Sequence, residues 1–282
     1  MTDSPDKRQL WVDRSRPEVW TVVISNPPIN MLDDGTIREL HALLQQVESD
    51  EALKAIVFQS ADPDFFIAHY DPSRGTQSIG ASASHRSADE AGRHSWLDFV
   101  LRLSKAPVVS IAKIAGRTRG VGNEFVLACD LRFASRQKAI FGQPEIGLGV
   151  VPGCGALEWL PRMVGRSRAL EIVLGADDFD ADTAELYGMI NRAVDNAELD
   201  PYVENFTSRI ATFDKQVLRA AKELINRIGL PEGGEMSSSN RLFIEALASP
   251  GARARRAEMR KLGFAERSEF ELNLGEAIKS LG

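Results

Sequence analysis

Near its start the chain places an amphipathic stretch between two short β-rich runs, and that order restricts the fold more than any other feature. Val19-Trp20-Thr21-Val22-Val23-Ile24 carries no charge and reads as a buried strand, ended by Asn26-Pro27-Pro28. Asp33 and Asp34 can cap a helix whose apolar residues Ile37, Leu40, Leu44 and Val47 recur at helical spacing. Ala55-Ile56-Val57-Phe58 is the next strand. Strand, helix, strand calls for a right-handed crossover and a mainly parallel sheet. Asp64-Phe65-Phe66-Ile67-Ala68 is short and apolar, and Pro107-Val108-Val109-Ser110-Ile111-Ala112 and Asp130-Leu131-Arg132-Phe133-Ala134 extend the strand set. After about Asp200 the pattern is wholly helical, with runs near 202–212, 214–228, 235–248, 252–263 and 267–281. The expectation is an α/β core over 1–200 followed by a helical module over 201–282.

Composition narrows the function classes. The chain has 282 residues, enough for a core that needs no staples, and 43% of them are hydrophobic. Lys and Arg number 34 against 40 Asp and Glu, so the net charge is −6 and a general nucleic-acid binder is not expected. The two cysteines, Cys129 and Cys154, lie in apolar surroundings and make neither a disulfide framework nor a metal knuckle. No stretch approaches the roughly 18 apolar residues of a membrane span. The start, Met1-Thr2-Asp3-Ser4-Pro5-Asp6-Lys7-Arg8, lacks an apolar secretory core, so a cytoplasmic protein is expected. The small polar residues from Pro72 to about Arg93 predict a long surface loop, of the kind that serves as a lid or stays disordered.

Familiar phosphate, nucleophile and zinc motifs are absent, and the four histidines show no metal-ligand spacing, so no metal site is expected. Glu124 is the informative residue. It stands early in an apolar helical stretch, Phe125-Val126-Leu127-Ala128-Cys129, where a carboxylate must be paired, neutralised or functional. It could instead answer the helix dipole. Glu145, in Phe141-Gly142-Gln143-Pro144-Glu145-Ile146-Gly147-Leu148-Gly149, sits between two apolar segments as either a presented catalytic group or a solvated turn residue. Two carboxyls in adjoining segments can become one acid and one base if their environments separate their pKa values. Gly116, Gly120 and Gly122 either simply turn the chain or let a ligand approach the N–H groups of a helix start, which suits an oxyanion or enolate.

At these residues the sequence resembles the crotonase (enoyl-CoA hydratase/isomerase) family, from about Val19 to Ala193 and more loosely beyond. Asn26-Pro27-Pro28-Ile29-Asn30-Met31-Leu32 is similar to the family's early Pro-x-Asn-x-Leu segment, and Phe66-Ile67-Ala68-His69-Tyr70-Asp71 stands where the family has Phe-x-Ala-Gly-Ala-Asp. Gly116 to Asp130 resembles the Gly-rich loop and helix, and Phe141-Gly142-Gln143-Pro144-Glu145 is a near-verbatim signature. Val151-Pro152-Gly153-Cys154-Gly155 and Leu160-Pro161-Arg162-Met163-Val164-Gly165 follow in family order.

The resemblance implies a spiral of ββα units with a helical C-terminal part that mediates homotrimers or homohexamers. It implies reversible hydration of a 2-trans-enoyl-CoA to a 3-hydroxyacyl-CoA. The backbone N–H groups of Tyr70 and Val121 would form an oxyanion hole, Glu124 would activate water, and Glu145 would exchange a proton at the α-carbon. Asn30, Met31, Leu32, Ile67 and Ala68 would hold coenzyme A through backbone contacts; it arrives with the acyl-CoA substrate and no separate cofactor is implied. The alternatives are isomerisation, hydrolysis or decarboxylation on the same fold, or an acyl-CoA-binding scaffold with little catalysis. His69 and Val121 stand where the family has glycine, and Tyr70 where it has alanine. These changes alter the bulk beside the thioester without removing backbone donors. Arg253, Arg255, Arg256, Arg260 and Lys261 form a basic stretch expected as a solvated helix face or a contact for the phosphates of coenzyme A.

Overall fold

The computed structural model describes residues 8–71, 95–231 and 233–281. The loop expected over 72–93 lies outside the described residues.

β1 (Leu10–Arg16) and β2 (Val19–Ile24) form an antiparallel pair. The chain then enters α1 (Asp34–Ser49), capped by the Asp33 carboxylate, which accepts from the Thr36 N–H at 2.8 Å. Ile37, Leu40, Leu44 and Val47 are all buried, so the helix lays its periodic apolar face on the sheet. β3 (Ala55–Ser60) returns parallel to β2, with Val19 opposite Ala55. This is the crossover that the sequence pattern requires.

From there the chain repeats one manoeuvre. β4 (Phe65–Ile67) leaves the first sheet, and α2 (Trp96–Lys105) leads back to it at β5 (Val109–Ile114). β6 (Arg117–Arg119), α3 (Val121–Ala128), β7 (Leu131–Ser135) and β8 (Ile140–Gly142) follow. A 3-10 turn (Pro144–Leu148) then precedes α4 (Ala156–Val164), α5 (Arg166–Gly175), β9 (Asp178–Asp180), α6 (Ala181–Tyr187) and β10 (Arg192–Val194). The first sheet runs β1-β2-β3-β5-β7-β10 and the second β4-β6-β8-β9. Successive turns therefore give one strand to each sheet, the spiral of ββα units expected from the resemblance.

The second sheet positions the site. β4 and β6 run parallel with Ile67 opposite Thr118. Tyr70 and Val121 each lie three residues beyond that pair, so both segments leave the sheet at the same end. Gly122 makes the junction possible: a Cβ there would stand 2.3 Å from the Ile67 carbonyl oxygen. α3 can therefore rest directly on β4.

From Leu199 onward the elements among the described residues are helical: α7 (Leu199–Ala211), α8 (Lys215–Gly229), α9 (Gly233–Leu247), α10 (Pro250–Lys261), α11 (Glu269–Leu272) and α12 (Leu274–Lys279). The single run expected over 267–281 is two helices, broken at Asn273. The second of these helices packs closely on β9, since a Cβ on Gly275 would lie 2.5 Å from the Asp178 nitrogen. Met236 of α9 joins the main core, whereas α8 buries none of its side chains fully. Among the described residues no helix is long and apolar enough to cross a membrane.

Candidate active site

α3 begins at Gly120, whose φ of 52° and ψ of −123° favour glycine. A side chain here would also collide with the site, since a Cβ would stand 2.8 Å from Glu145 Oε1. The Val121 N–H opens the helix and has no partner among the described residues, as a first-turn N–H has none within its own helix. On the facing segment Leu32 N–H donates to the His69 carbonyl at 2.9 Å and Asp71 N–H donates to the Leu32 carbonyl at 2.8 Å. Strand alternation then turns the Tyr70 N–H to the opposite edge. The Tyr70 hydroxyl donates to Asp34 Oδ1 at 2.6 Å, so its side chain anchors this segment to the start of α1.

Glu124 and Glu145 open into one cleft, lined also by His69, Tyr70, Gly120 and Val121. The cleft encloses about 720 Å³ of non-protein space, part of it open to solvent, and its remaining walls include Leu148, Val150, Phe243, Leu247 and Phe264. Glu124 is 1% exposed. Its Oε1 accepts from the Cys154 N–H at 2.9 Å and the Ala156 N–H at 3.1 Å, at the start of α4. One oxygen is thus committed to the protein, and Oε2 is the one through which Glu124 can meet a water. Glu145, in the 3-10 turn, accepts at Oε2 from Gln143 Nε2 at 3.0 Å, and Gln143 accepts from Asn123 Nδ2 at 2.8 Å. α3 thus orients both carboxyls, one directly and one through Asn123.

Burial pushes both carboxyls up, Glu124 to about 8 with repulsion from Glu145 adding to the effect, and Glu145 to about 7. Glu145 is restrained by its own backbone N–H, Gln143 and the charge of His69. Two such acids titrate as a pair, and near neutral pH the pair holds about one proton. It then presents one base and one acid.

His69 is enclosed on every side. Nδ1 lies 3.1 Å from the Tyr70 carbonyl, Nε2 lies 3.2 Å from Glu271 Oε2, and the ring stacks on Phe264 with centroids 4.4 Å apart. With an acceptor at each nitrogen, both are satisfied only when both carry protons. Burial opposes the charge, but Glu271 outweighs it and the pKa is raised. Glu271 Oε2 also accepts from the Ala265 N–H at 2.9 Å, and Arg119 donates to the Glu271 carbonyl at 2.6 Å. Arg119 in turn grips Asp178 through two hydrogen bonds, at 2.7 and 2.6 Å. The site is therefore closed by α11, far from it in sequence.

Asn30, Met31, Leu32, Ile67 and Ala68 lie beside the cleft, not in its wall, and their side chains are buried. Asn30 ties the segment together: Nδ2 donates to Ser60 Oγ at 2.7 Å and to the Phe66 carbonyl at 3.1 Å, while Oδ1 accepts from the Asn26 N–H at 2.6 Å. The expected solvated face of the basic stretch is interrupted. Arg255 donates to the Gly147 carbonyl, and Arg256 is half-buried and lines the cleft.

A family model described as enoyl-CoA hydratase/isomerase matches residues 15–270. The chain belongs to the enoyl-CoA hydratase/isomerase family. Among its relatives within that family, the crotonyl-CoA hydratase of Syntrophomonas wolfei is 32% identical over 81% of this chain and 84% of that protein. The short-chain-enoyl-CoA hydratase of Clostridium acetobutylicum is 30% identical over 74% of this chain and 78% of its own length. A crystal structure from Streptomyces avermitilis, provisionally assigned as an enoyl-CoA hydratase, superposes with a TM-score of 0.91 at 40% identity and full coverage of both chains. Cys154, Phe243, Phe264 and Glu271 are site residues of this family member that sequence reasoning missed. Arg256 was noticed only as part of a charge run.

Proposed function

We propose that this enzyme reversibly hydrates a 2-trans-enoyl-CoA to a 3-hydroxyacyl-CoA. The observation that carries the reading is the pair of buried glutamates, Glu124 and Glu145, opening into one apolar cleft beside the start of α3. Burial favours the pair's single proton on Glu124, so the reactive form is the minor tautomer with that proton on Glu145. In that form Glu124 takes a proton from water as the water oxygen bonds to the β-carbon. Charge moves to the thioester oxygen, where the Tyr70 and Val121 N–H groups receive it, each worth about 3 kcal/mol in comparable sites. Glu145 returns a proton to the α-carbon. The water is added whole and no electrons are exchanged with a partner, so the reaction calls for no redox cofactor. Coenzyme A comes with the substrate and rests on the main chain of Asn30–Leu32 and Ile67–Ala68.

The amphipathic helix α8 supports assembly into homotrimers, paired as homohexamers. It buries no side chain fully, and Val217, Leu224, Ile225 and Ile228 project from one face at 66%, 57%, 70% and 90% exposure. Two free thiols, Cys129 and Cys154, suit a reducing cytoplasm.

Short- and medium-chain enoyl-CoA thioesters test the reaction. The conjugated absorbance should fall and the product should gain the mass of one water. Glu124→Gln or Glu145→Gln should each lower kcat by about 10²–10⁴-fold, and the double variant should be inactive. Turnover without a mass change would show isomerisation, and retained hydration by the double variant would overturn the proposal.

A further inference from the structure

Among the described residues Arg256 has no counter-ion, and it stands in the wall of the cleft. It projects from α10 among Leu148, Val150, Phe243, Leu247 and Phe264. Its Nη2 donates to the Leu247 carbonyl at 3.0 Å. Its Nη1 is enclosed and has no hydrogen-bond partner among the described residues. Among the described residues the charges acting on it are those of Arg260 and Arg253, both repulsive, with no carboxylate to offset them. Leaving a guanidinium nitrogen desolvated and unpaired is costly, and a hydrophobic side chain would fill the same wall without that cost. A merely solvated arginine would keep its head in water.

The catalytic carboxyls do not supply the missing anion. The charged neighbours acting on Glu124 are Glu145 and Glu158, and the one acting on Glu145 is His69. The cleft therefore holds, in one lining, the acid pair and a cation with which neither acid forms an ion pair among the described residues. A substrate that spans it would present a thioester to the first and an anionic group to the second. The geometry points to an acyl chain that bears its own carboxylate, held by Arg256, so that the preferred substrate is an ω-carboxy-2-enoyl-CoA. The phosphates of coenzyme A are the other anions such a ligand offers, and they are separated from the thioester by the whole pantetheine arm. A guanidinium suits a carboxylate because its fork can donate two parallel hydrogen bonds.

This inference rests on the enoyl-CoA reading for the thioester end, and the test separates the two. ω-Carboxy-2-enoyl-CoA thioesters are compared with unsubstituted 2-enoyl-CoA thioesters of the same lengths, using wild type, Arg256→Met and Arg256→Lys. Wild type should favour the carboxylated series in kcat/KM. Arg256→Met should lower the ratio of carboxylated to neutral kcat/KM by about 10–100-fold, and Arg256→Lys should restore part of it. Calorimetry with saturated ω-carboxyacyl-CoA and plain acyl-CoA reads the same preference without turnover. Arg256-dependent binding with no hydration of either series would sink the hydratase reading and leave this one standing. Equal wild-type use of the two series, or an Arg256→Met penalty equal for both, would overturn it. So would a penalty that vanishes with pantetheine thioesters lacking the nucleotide, since Arg256 would then be holding a phosphate.

Discussion

His69 occupies a position where a side chain of its size demands an explanation, and its contacts supply one. The imidazolium is sandwiched between Phe264 and the first oxyanion segment, and Glu271 balances its charge. It acts on chemistry through Glu145, whose carboxyl it pulls downward against the effect of burial. His69→Gln removes a positive charge and leaves the negative Glu271 in place, so both ionisations of the glutamate pair should move to higher pH. The bell-shaped profile of kcat/KM should shift the same way, with a several-fold loss on its acidic side. Glu271→Gln should produce a shift of the same sign, because the imidazole loses the partner that keeps it charged. A merely structural His69 would change stability and leave the profile where it was. Glu124 was conspicuous in the sequence because an acid inside an apolar helical stretch has to be explained. Glu271 was not, because its partner lies 202 residues away and nothing local distinguishes it from other glutamates on short helices.

At the scale of elements, α8 is the outlier. Most helices of the fold earn their place by burial, with Ile37 and Leu40 of α1 and Trp96 and Phe99 of α2 wholly or almost wholly enclosed. α8 is held by Leu218, partly buried against the second core, and by polar threads: Lys222 Nζ donates to Asp130 Oδ2 at 2.7 Å, and Asn226 Nδ2 donates to the Ser104 carbonyl at 2.9 Å. Its apolar stripe is left for another surface. Ile228→Glu, or Ile225→Lys with Ile228→Glu, should shift the protein from an oligomer to a monomer in light scattering, with the helical content retained. A wild type that is already monomeric at micromolar concentration would contradict the proposed assembly. The strand–helix–strand opening was readable because burial on a parallel sheet imposes a local pattern. β8, β9 and β10 were not, being three residues each, too short to establish a period. The close packing of α12 on β9 was hidden for a different reason, since Gly275 meets Asp178 from 97 residues away.

For the whole molecule, a catalytic pair buried this deeply has a cost in stability that depends on pH. Unfolded, both glutamates titrate near 4.5; folded, they hold their protons up to about 7 and about 8. Between those limits the folded chain binds more protons than the unfolded one. The pair's contribution to stability is therefore fully present below about 4.5 and is lost as pH rises through about 8. Glutamine is close in size and cannot ionise, so Glu124→Gln with Glu145→Gln should free the fold from this penalty. The variant's melting temperature relative to wild type should rise steadily across that window, by about 2–4 °C for each kcal/mol of penalty removed. His69 titrates with the same sign, its raised pKa favouring the fold at low pH, but it is present in both proteins and its direct contribution largely cancels in the comparison. A difference that stayed flat with pH would mean that the two carboxyls ionise in the folded enzyme as freely as they do in water. The repulsion that sets one acid against one base would then be missing, and with it the electrostatic basis of the proposed hydration.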